Sequence, residues 1–438
     1  MSNLYRAIGK SMLSRYAVYA CSIISLMVLT RIFTPQVFGV VAAAQSIVLF
    51  FQLIAEGGLS PAIINLRDFE KRDRDGIFGL SLFVAAFLAV VMVMLGSTLA
   101  KFYNIEDIVY IIPFVSVALF ANTAVVLPLA LLQREQMFKR IAQAGMMAEF
   151  GALVVTVIAH YKLSALQAYA LYFPVKALLN FIANLYYSGY TEFGRPLPGS
   201  YFFAIRPLLG TTSYQLGFNF MNYFSRNLDN ILVGKYLGAS FLGIYDRSYQ
   251  LMRYPLMLLT FAMTPAIQPA LREVTHDIRH VNDLHRDLAF KLSIGGSIAA
   301  LGVFFFAKYI VLIAFGQQWM TVVPVIKLLA LSIPAQTIMS TSGSFFQAFN
   351  RTDLMFSTGV LWTILNISAI VFGIWCGSLE ALCWSLFVSF NLNFFQIYFV
   401  LHKKVLGGGY GKFLINTWPS GVATFVMASI ASINNIVN

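Results

Sequence analysis

Residues 36–58 read QVFGVVAAAQSIVLFFQLIAEGG, with Glu56 the sole ionisable side chain. A hydrocarbon layer about 30 Å thick is crossed by about 20 mainly apolar residues in a helix. This stretch has that length, and its composition suits lipid better than a water-facing surface. Runs of the same kind recur near 14–33, 77–99, 108–131, 141–160 and 164–187. They resume after the polar stretch SGYTEFGRPLPGS (188–200), near 208–233, 239–264, 289–315, 321–347, 355–376 and 379–401. The basic, glycine-rich segment HKKVLGGGYGK then leads to a further run at 413–434. The pattern predicts an all-α integral membrane protein of twelve transmembrane helices, with a thirteenth at its C-terminal end.

Composition supports this. The 438 residues are 59% hydrophobic and 11% charged, where a soluble domain carries about 25% charged residues. The net charge of +12 would suggest nucleic acid in a soluble chain. Here the basic residues sit in short loops between apolar runs. With the N-terminus in the cytoplasm, 20 of the 30 lysines and arginines fall on cytoplasmic segments, and only Arg31, Lys101, Lys162, Lys235 and Lys308 fall on the opposite loops. This bias alternates loop by loop, as the positive-inside rule requires, and one miscounted span would reverse it downstream. The basic N-terminus MSNLYRAIGKSMLSRY runs into a long apolar stretch without a small-residue cleavage site, so it reads as a retained first helix. Cys21, Cys376 and Cys383 form no CxxC and imply neither a disulfide framework nor a metal site.

The chain also repeats itself. A shift of 204 residues lays Arg31…Phe38-Gly39-Val40 on Lys235…Leu242-Gly243-Ile244, and Ser60-Pro61-Ala62-Ile63 on Thr264-Pro265-Ala266-Ile267. Six spans per half preserve membrane orientation, so the halves should be related by an axis along the membrane normal. The expected division is an N-lobe at 1–187, a cytoplasmic linker at 188–207, a C-lobe at 208–402 and an extra C-terminal helix at 403–438.

Nucleotide and hydrolase motifs are missing. Gly407-Gly408-Gly409-Tyr410-Gly411-Lys412-Phe413 lacks the leading glycine and the hydroxyl residue of a P-loop, and no GxSxG or HExxH occurs. The reading is a transporter, not an enzyme, without a cofactor or a nucleic-acid partner. In REVTHDIRHVNDLHRD (272–287), His276 and His280 have the spacing of a zinc pair. Val274, Ile278, Val281 and Leu284 form an apolar side, however, and predict a separate amphipathic helix at the cytoplasmic interface.

The stretch SRNLDNILVGKYLGASFLGIYDRSYQLMRYPLMLLTFAMTPAIQPALRE (225–273) resembles the polysaccharide transporter family, the Wzx-type flippases of the MATE-like (MOP) superfamily, in the branch of the colanic acid exporter. RIFTPQVFGVVAAAQSIVLFFQLIAEGGLSPAII (31–64) repeats the same style, and LLQREQMFKR (131–140) and FQAFNRTDLMF (346–356) match the family's short loops. The resemblance implies two six-helix lobes forming a V around a central cavity, alternating access, and a polyprenyl-pyrophosphate-linked oligosaccharide as substrate. It places the chain in a bacterial inner membrane, serving exopolysaccharide, capsule or O-antigen assembly. Its partners would be membrane lipids and the polysaccharide polymerase and chain-length machinery. Some members carry fourteen spans, and only thirteen fit here.

Ionisable residues inside spans are costly, by about 2.5–3.5 kcal/mol on insertion scales, and mark cavities, pairs or pathways. Lys176, Arg226, Arg247 and Arg253 are the expected contacts for an anionic head group, because arginine forks suit pyrophosphate and lysine supplies a point charge. Asp229, Asp246, Tyr249 and Gln250 are expected to orient them or to take part in ion coupling. Asp246, Tyr249, Gln250 and Arg253 share one helical stripe. Arg226–Asp229 and Asp246–Arg253 read equally well as ion pairs that lock helices together. Lys176 and Arg247 have no acid on their own helix face. Two other functions remain open: a small-molecule cation (multidrug) antiporter of the same superfamily, which would want unpaired acids, and a membrane glycan polymerase, which would want a large external loop.

Overall fold

The computed structural model describes residues 2–437 except 57–58, 61–62, 64–68, 209–219, 221–222, 225–226, 261–266, 268–270 and 272–273. The side chains of 2–15, 207–208 and 434–437 also lie outside the description. The described residues are helical or in short connections, and they divide into two compact units, Met1–Gly243 and Ile244–Asn438.

The first unit contains α1 (Ser2–Ile32), α2 (Pro35–Glu56), α3 (Lys71–Met94), α4 (Gly96–Tyr103), α5 (Ile108–Ala124), α6 (Val126–Arg134), α7 (Phe138–His160), α8 (Ala165–Ser188) and α9 (227–236). The hairpin of α7 and α8 is its spine: α8 also packs on α5, α1 on α7, and α3 on α5. The side chains at the centre are small or branched, with Ala118, Ala121, Ala144, Ala148 and Ala152 buried. Small residues let membrane helices approach closely where no hydrophobic driving force exists between them. Outward-facing rows are apolar instead: Phe83, Phe87, Val90 and Met94 run exposed along α3. In water such a row would be a liability. Against acyl chains it is the solvated face.

The second unit contains α10 (Ala239–Thr260, which begins in the first), α11 (Ile278–Ala314), α12 (Val322–Ala330), α13 (Ile333–Met339), α14 (Ser342–Ala348), α15 (Thr352–Trp375), α16 (Leu379–Lys404), α17 (Tyr410–Asn416) and α18 (Trp418–Val437). Among the described residues, eight helical segments, one of them α5 and α6 taken together, are long and apolar enough to cross a membrane. Two further apolar segments are bent pairs, one through α12–α14 at 48° and one through α17–α18 at 56°. Both bends lie beside a proline, Pro334 and Pro419, which cannot donate to the carbonyl one turn back. The expected continuous span at 321–347 is therefore broken.

Two further differences from the sequence reading have local causes. The segment around 278–287 is not a separate interfacial helix; it is the first turns of α11. Asp277 caps it, accepting from the backbone N–H groups of His280 and Arg279 at 3.1 Å, and these donors hold its carboxyl below the usual carboxylate range. Val281 and His285 are buried, while Ile278 and Leu284 remain exposed. His285 lies among the rings of Phe345, Tyr398, His402 and Phe413, with centroids 4.6–5.5 Å away. Asn282 donates to the Leu406 carbonyl and Asn416 to that of Arg286, each at 2.7 Å. These contacts tie the C-terminal segment to α11.

The division between units also falls after Gly243, beyond the expected linker. Part of the expected span at 208–233 belongs with the first unit: Tyr223 donates to the Ser46 carbonyl on α2, and just beyond the span Lys235 sits 4.1 Å over the Phe102 ring. Most of the expected span at 208–233, with Arg226, and the repeat landmarks Pro61 and Pro265 lie outside the described residues.

The glycines of the first repeat landmark meet each other. A β-carbon on Gly39 would stand 1.6 Å from the Ala239 carbonyl oxygen, and one on Gly243 would stand 2.0 Å from that of Pro35. Each glycine also lies against the other's backbone nitrogen, 3.0 Å from the site of that β-carbon. Backbone cannot yield as a flexible side chain can. Gly39→Ala or Gly243→Ala is therefore expected to destabilise the protein by about 3 kcal/mol or more, the upper range of overpacking. Gly359→Ala, which meets open space, should be neutral. Thermal unfolding of the three variants in detergent checks this.

Candidate functional site

The first unit contains an open cavity of about 810 Å³. Its walls come from α1, α2, α5, α6, α7 and α8. It exists because Ala118, Ala142, Gly145, Ala148 and Ala177 face it and leave the space that larger residues would fill. Into that space project Tyr19, Gln45, Gln52, Asn122, Gln133 and Asn180, together with one charged side chain, Lys176. Gln45 and Gln52 are seven residues apart on α2, and Lys176 and Asn180 four apart on α8, so each pair shares a helix face. Apolar contacts from Leu49, Leu129, Phe138 and Phe173 complete the wall.

Some of these groups are already engaged. Gln133 accepts from the Ser60 hydroxyl at 3.1 Å, and the Asn180 side-chain oxygen accepts from Asn184 at 2.9 Å. The amide nitrogen of Gln45 is buried without a hydrogen-bond partner. A buried donor left unpaired costs about 1–3 kcal/mol, so this group calls for water or a ligand acceptor.

Lys176 is held from behind. Its ammonium lies 2.6 Å from Oε2 of Glu149, on α7. Glu149 is 1% exposed, while the Lys176 side chain is 40% exposed. The Tyr172 hydroxyl donates to Oε1 of the same carboxylate, and the Ser22 hydroxyl to Oε2 at 3.1 Å. The Lys176 ammonium also stands 5.4 Å over the Tyr172 ring. A buried carboxylate is therefore fully bonded in the wall, and its counter-charge is presented to the cavity. On its own helix Lys176 has no acid; the partner comes from the neighbouring helix, which sequence spacing does not reveal.

The other sequence-predicted residues are placed as follows. Arg226 lies outside the described residues. Asp229, on α9, is buried, and its Oδ1 accepts the backbone N–H of Asn230 at 2.8 Å. Asp246, Arg247, Tyr249, Gln250 and Arg253 lie on α10 within the second unit and do not line this cavity. Arg247 pairs with its neighbour Asp246, with Nε 3.0 Å from Oδ2. Arg253 lies 5.0 Å over the Tyr249 ring, and Gln250 donates to the Tyr254 hydroxyl at 3.1 Å. The structure thus brings Lys176 together with the amides of α2, α5, α6 and α8, which a search confined to charges passes over. Their signal is glutamine and asparagine at helical spacing inside apolar runs.

A family model described as "Polysaccharide biosynthesis protein" matches residues 28–324. The chain is 25% identical over 422 residues to the lipopolysaccharide biosynthesis protein WzxC of Escherichia coli K12, covering 93% of this chain and 82% of that one. It is 24% identical over 388 residues to the succinoglycan biosynthesis transport protein ExoT of Rhizobium meliloti, covering 86% and 76%. Among solved structures, the fold is similar to the lipid II flippase MurJ in an inward closed conformation. The TM-score is 0.70 at 13% identity, over 97% of this chain and all of that one. It is also similar to an inward-facing multidrug resistance MATE family transporter of the MOP superfamily, with a TM-score of 0.63 at 14% identity, over 88% and 95%. At these identities the structural likeness establishes the fold alone, an all-helical arrangement like that of MurJ and the MATE transporters.

Removing one member of a buried ion pair leaves the other uncompensated. Lys176→Met is expected to cost on the order of 3 kcal/mol, the lower end for such pairs because the lysine is partly exposed. Lys176→Met combined with Glu149→Met should recover most of the loss. The order of thermal unfolding midpoints, wild type and double variant above the single, tests the pairing.

Proposed function

This chain belongs to the polysaccharide biosynthesis protein family, and we propose that it carries a polyprenyl-pyrophosphate-linked oligosaccharide across the inner membrane of a bacterium by alternating access, for assembly of a surface polysaccharide. The observation that carries this reading is the cavity of the first unit: about 810 Å³, amide-rich, tyrosine-bearing, with one ammonium at its wall. Its size falls within the range of about 300–1,000 Å³ usual for ligand sites. Amide side chains both donate and accept, as the hydroxyl groups of a sugar require. Tyr19 and Phe173 offer ring faces, and Lys176 offers a positive charge to the anionic part of the head group.

The Glu149–Lys176 pair supports the same reading. A free ammonium in the hydrocarbon region would be costly, and a fully neutralised one would not attract an anion. Held on one side by Glu149 and open on the other, Lys176 satisfies both demands. Arg226, Arg247 and Arg253 are proposed to contact the pyrophosphate at another stage of the cycle, with Asp229, Asp246, Tyr249 and Gln250 orienting them. The prenyl chain stays among the lipid acyl chains along exposed apolar faces such as that of α3. The N-terminus is proposed to lie in the cytoplasm, and the product to pass to the polymerase and chain-length machinery. An exporter of organic cations would want a carboxylate facing the cavity, and Glu149 is instead consumed in the wall.

The test is translocation. In cells depleted of the native gene, Lys176→Gln and the pair Gln45→Leu with Asn180→Leu should each reduce outward-exposed lipid-linked repeat units about tenfold. That is the effect of losing roughly 1.4 kcal/mol of a charge-assisted contact. The lipid-linked units, normalised to protein abundance because Lys176→Gln also leaves Glu149 uncompensated, should accumulate on the inner leaflet. Unchanged translocation in both variants, or drug sensitivity without a glycan defect, would overturn the proposal.

A further inference from the structure

We propose that a ladder of two arginines and two tyrosines, Arg140–Tyr190–Tyr186–Arg195, is a binding site in the first unit for the phosphate of an acidic glycerophospholipid of the surrounding membrane. The Arg140 guanidinium lies 4.0 Å over the Tyr190 ring, and that of Arg195 lies 5.7 Å over the Tyr186 ring. The two rings are 5.8 Å apart at 77°, with their hydroxyls 3.0 Å from each other. Two guanidinium planes therefore bracket a linked tyrosine pair.

Neither arginine has a carboxylate within 4 Å among the described residues. Arg140 makes one long contact, to Met137 Sδ at 3.7 Å. The acids of this region are Glu135, Glu192 and Asp75: the Glu135 carboxylate accepts the backbone N–H of Glu192 at 2.7 Å, and Asp75 accepts that of Leu197 at 2.8 Å while paired with Arg74. Stacking on an aromatic ring holds a guanidinium in place and leaves its edge of N–H groups free for a bidentate anion. The planar fork fits phosphate oxygens better than a lysine does.

What lies below the ladder identifies the ligand as a lipid. Ile182, Tyr186 and Tyr190 follow one another at four-residue steps along one face of α8 and its extension, each more than half exposed. The Tyr187 hydroxyl reaches Met147 Sδ at 3.9 Å, and exposed Met147, Phe150, Val154 and Ile158 continue the apolar wall along α7. The order along this face is apolar wall, then tyrosines, then guanidinium groups. That is the order of acyl chain, interface and phosphate in a phospholipid. A soluble phosphate would leave the apolar wall unused. The transported substrate is assigned elsewhere, since none of the four ladder residues lines the cavity.

The test is lipid retention by the purified protein, measured by native mass spectrometry, with thermal unfolding as a second readout. Cardiolipin or phosphatidylglycerol should raise the unfolding midpoint of the wild type, and phosphatidylcholine should not. Arg140→Gln with Arg195→Gln should retain acidic lipid about thirtyfold less, two charge-assisted contacts being lost. Arg140→Lys with Arg195→Lys should fall between, because charge remains and the fork does not. Should the double glutamine variant fail to fold, Arg195→Gln alone, at an exposed side chain, gives the same comparison. Full retention in the glutamine variants, equal stabilisation by phosphatidylcholine, or stabilisation by glycerol phosphate alone would overturn the proposal. So would binding of polyprenyl pyrophosphate at the ladder with no phospholipid bound there. Because the readout is bound lipid, the outcome is independent of whether translocation is impaired.

Discussion

Hydrocarbon offers no hydrogen-bond partners, and most of this molecule follows from that. Each backbone donor in the spans must bond within its own segment, which leaves the helix as the structure available to a chain without closed strands. Each polar side chain in a span must find a partner in protein or line a wet space. The consequence is clearest at Glu149. Its carboxylate is out of reach of solvent, and two neighbouring helices supply what water cannot: Ser22 from α1, Tyr172 and Lys176 from α8.

The same constraint shapes the second unit. Arg247 turns to the acid beside it, Arg253 lies on a tyrosine ring, and Gln250 bonds to Tyr254. Elsewhere, Arg72, Arg134, Arg140 and Arg195 lie over aromatic rings, while Arg286, Lys291 and Arg351 pair with nearby acids.

The cavity is the other face of close packing. Where Gly39 meets the backbone of α10, there is no room for one carbon atom. A few turns away, the alanines of α5, α7 and α8 leave space for a ligand. Both depend on small residues. At the crossing two backbones occupy the space; in the cavity polar side chains from five helices border it. A site built from many helices of one unit can hold an amide-lined chamber without exposing charge to lipid.

Much of the architecture was legible in the chain alone. Expected spans at 36–58, 141–160, 164–187, 355–376 and 379–401 agree with helices at Pro35–Glu56, Phe138–His160, Ala165–Ser188, Thr352–Trp375 and Leu379–Lys404 to within a few residues. Hydropathy reads these well because the free energy of burying a span in lipid is nearly a sum over its own residues. The repeat landmark at Gly39 and Gly243 was legible too, though not its role as a contact between the two copies. Tertiary structure alone decided which groups meet: Glu149 behind Lys176, Tyr223 on α2, His285 beneath the C-terminal segment, and the amides of α2, α5, α6 and α8 around one space. Those contacts join residues from 23 to 177 positions apart, as for Tyr172 with Glu149 and Tyr223 with Ser46. A periodic pattern records which side of its own helix a residue occupies; the neighbour on that side is chosen by how the helices pack.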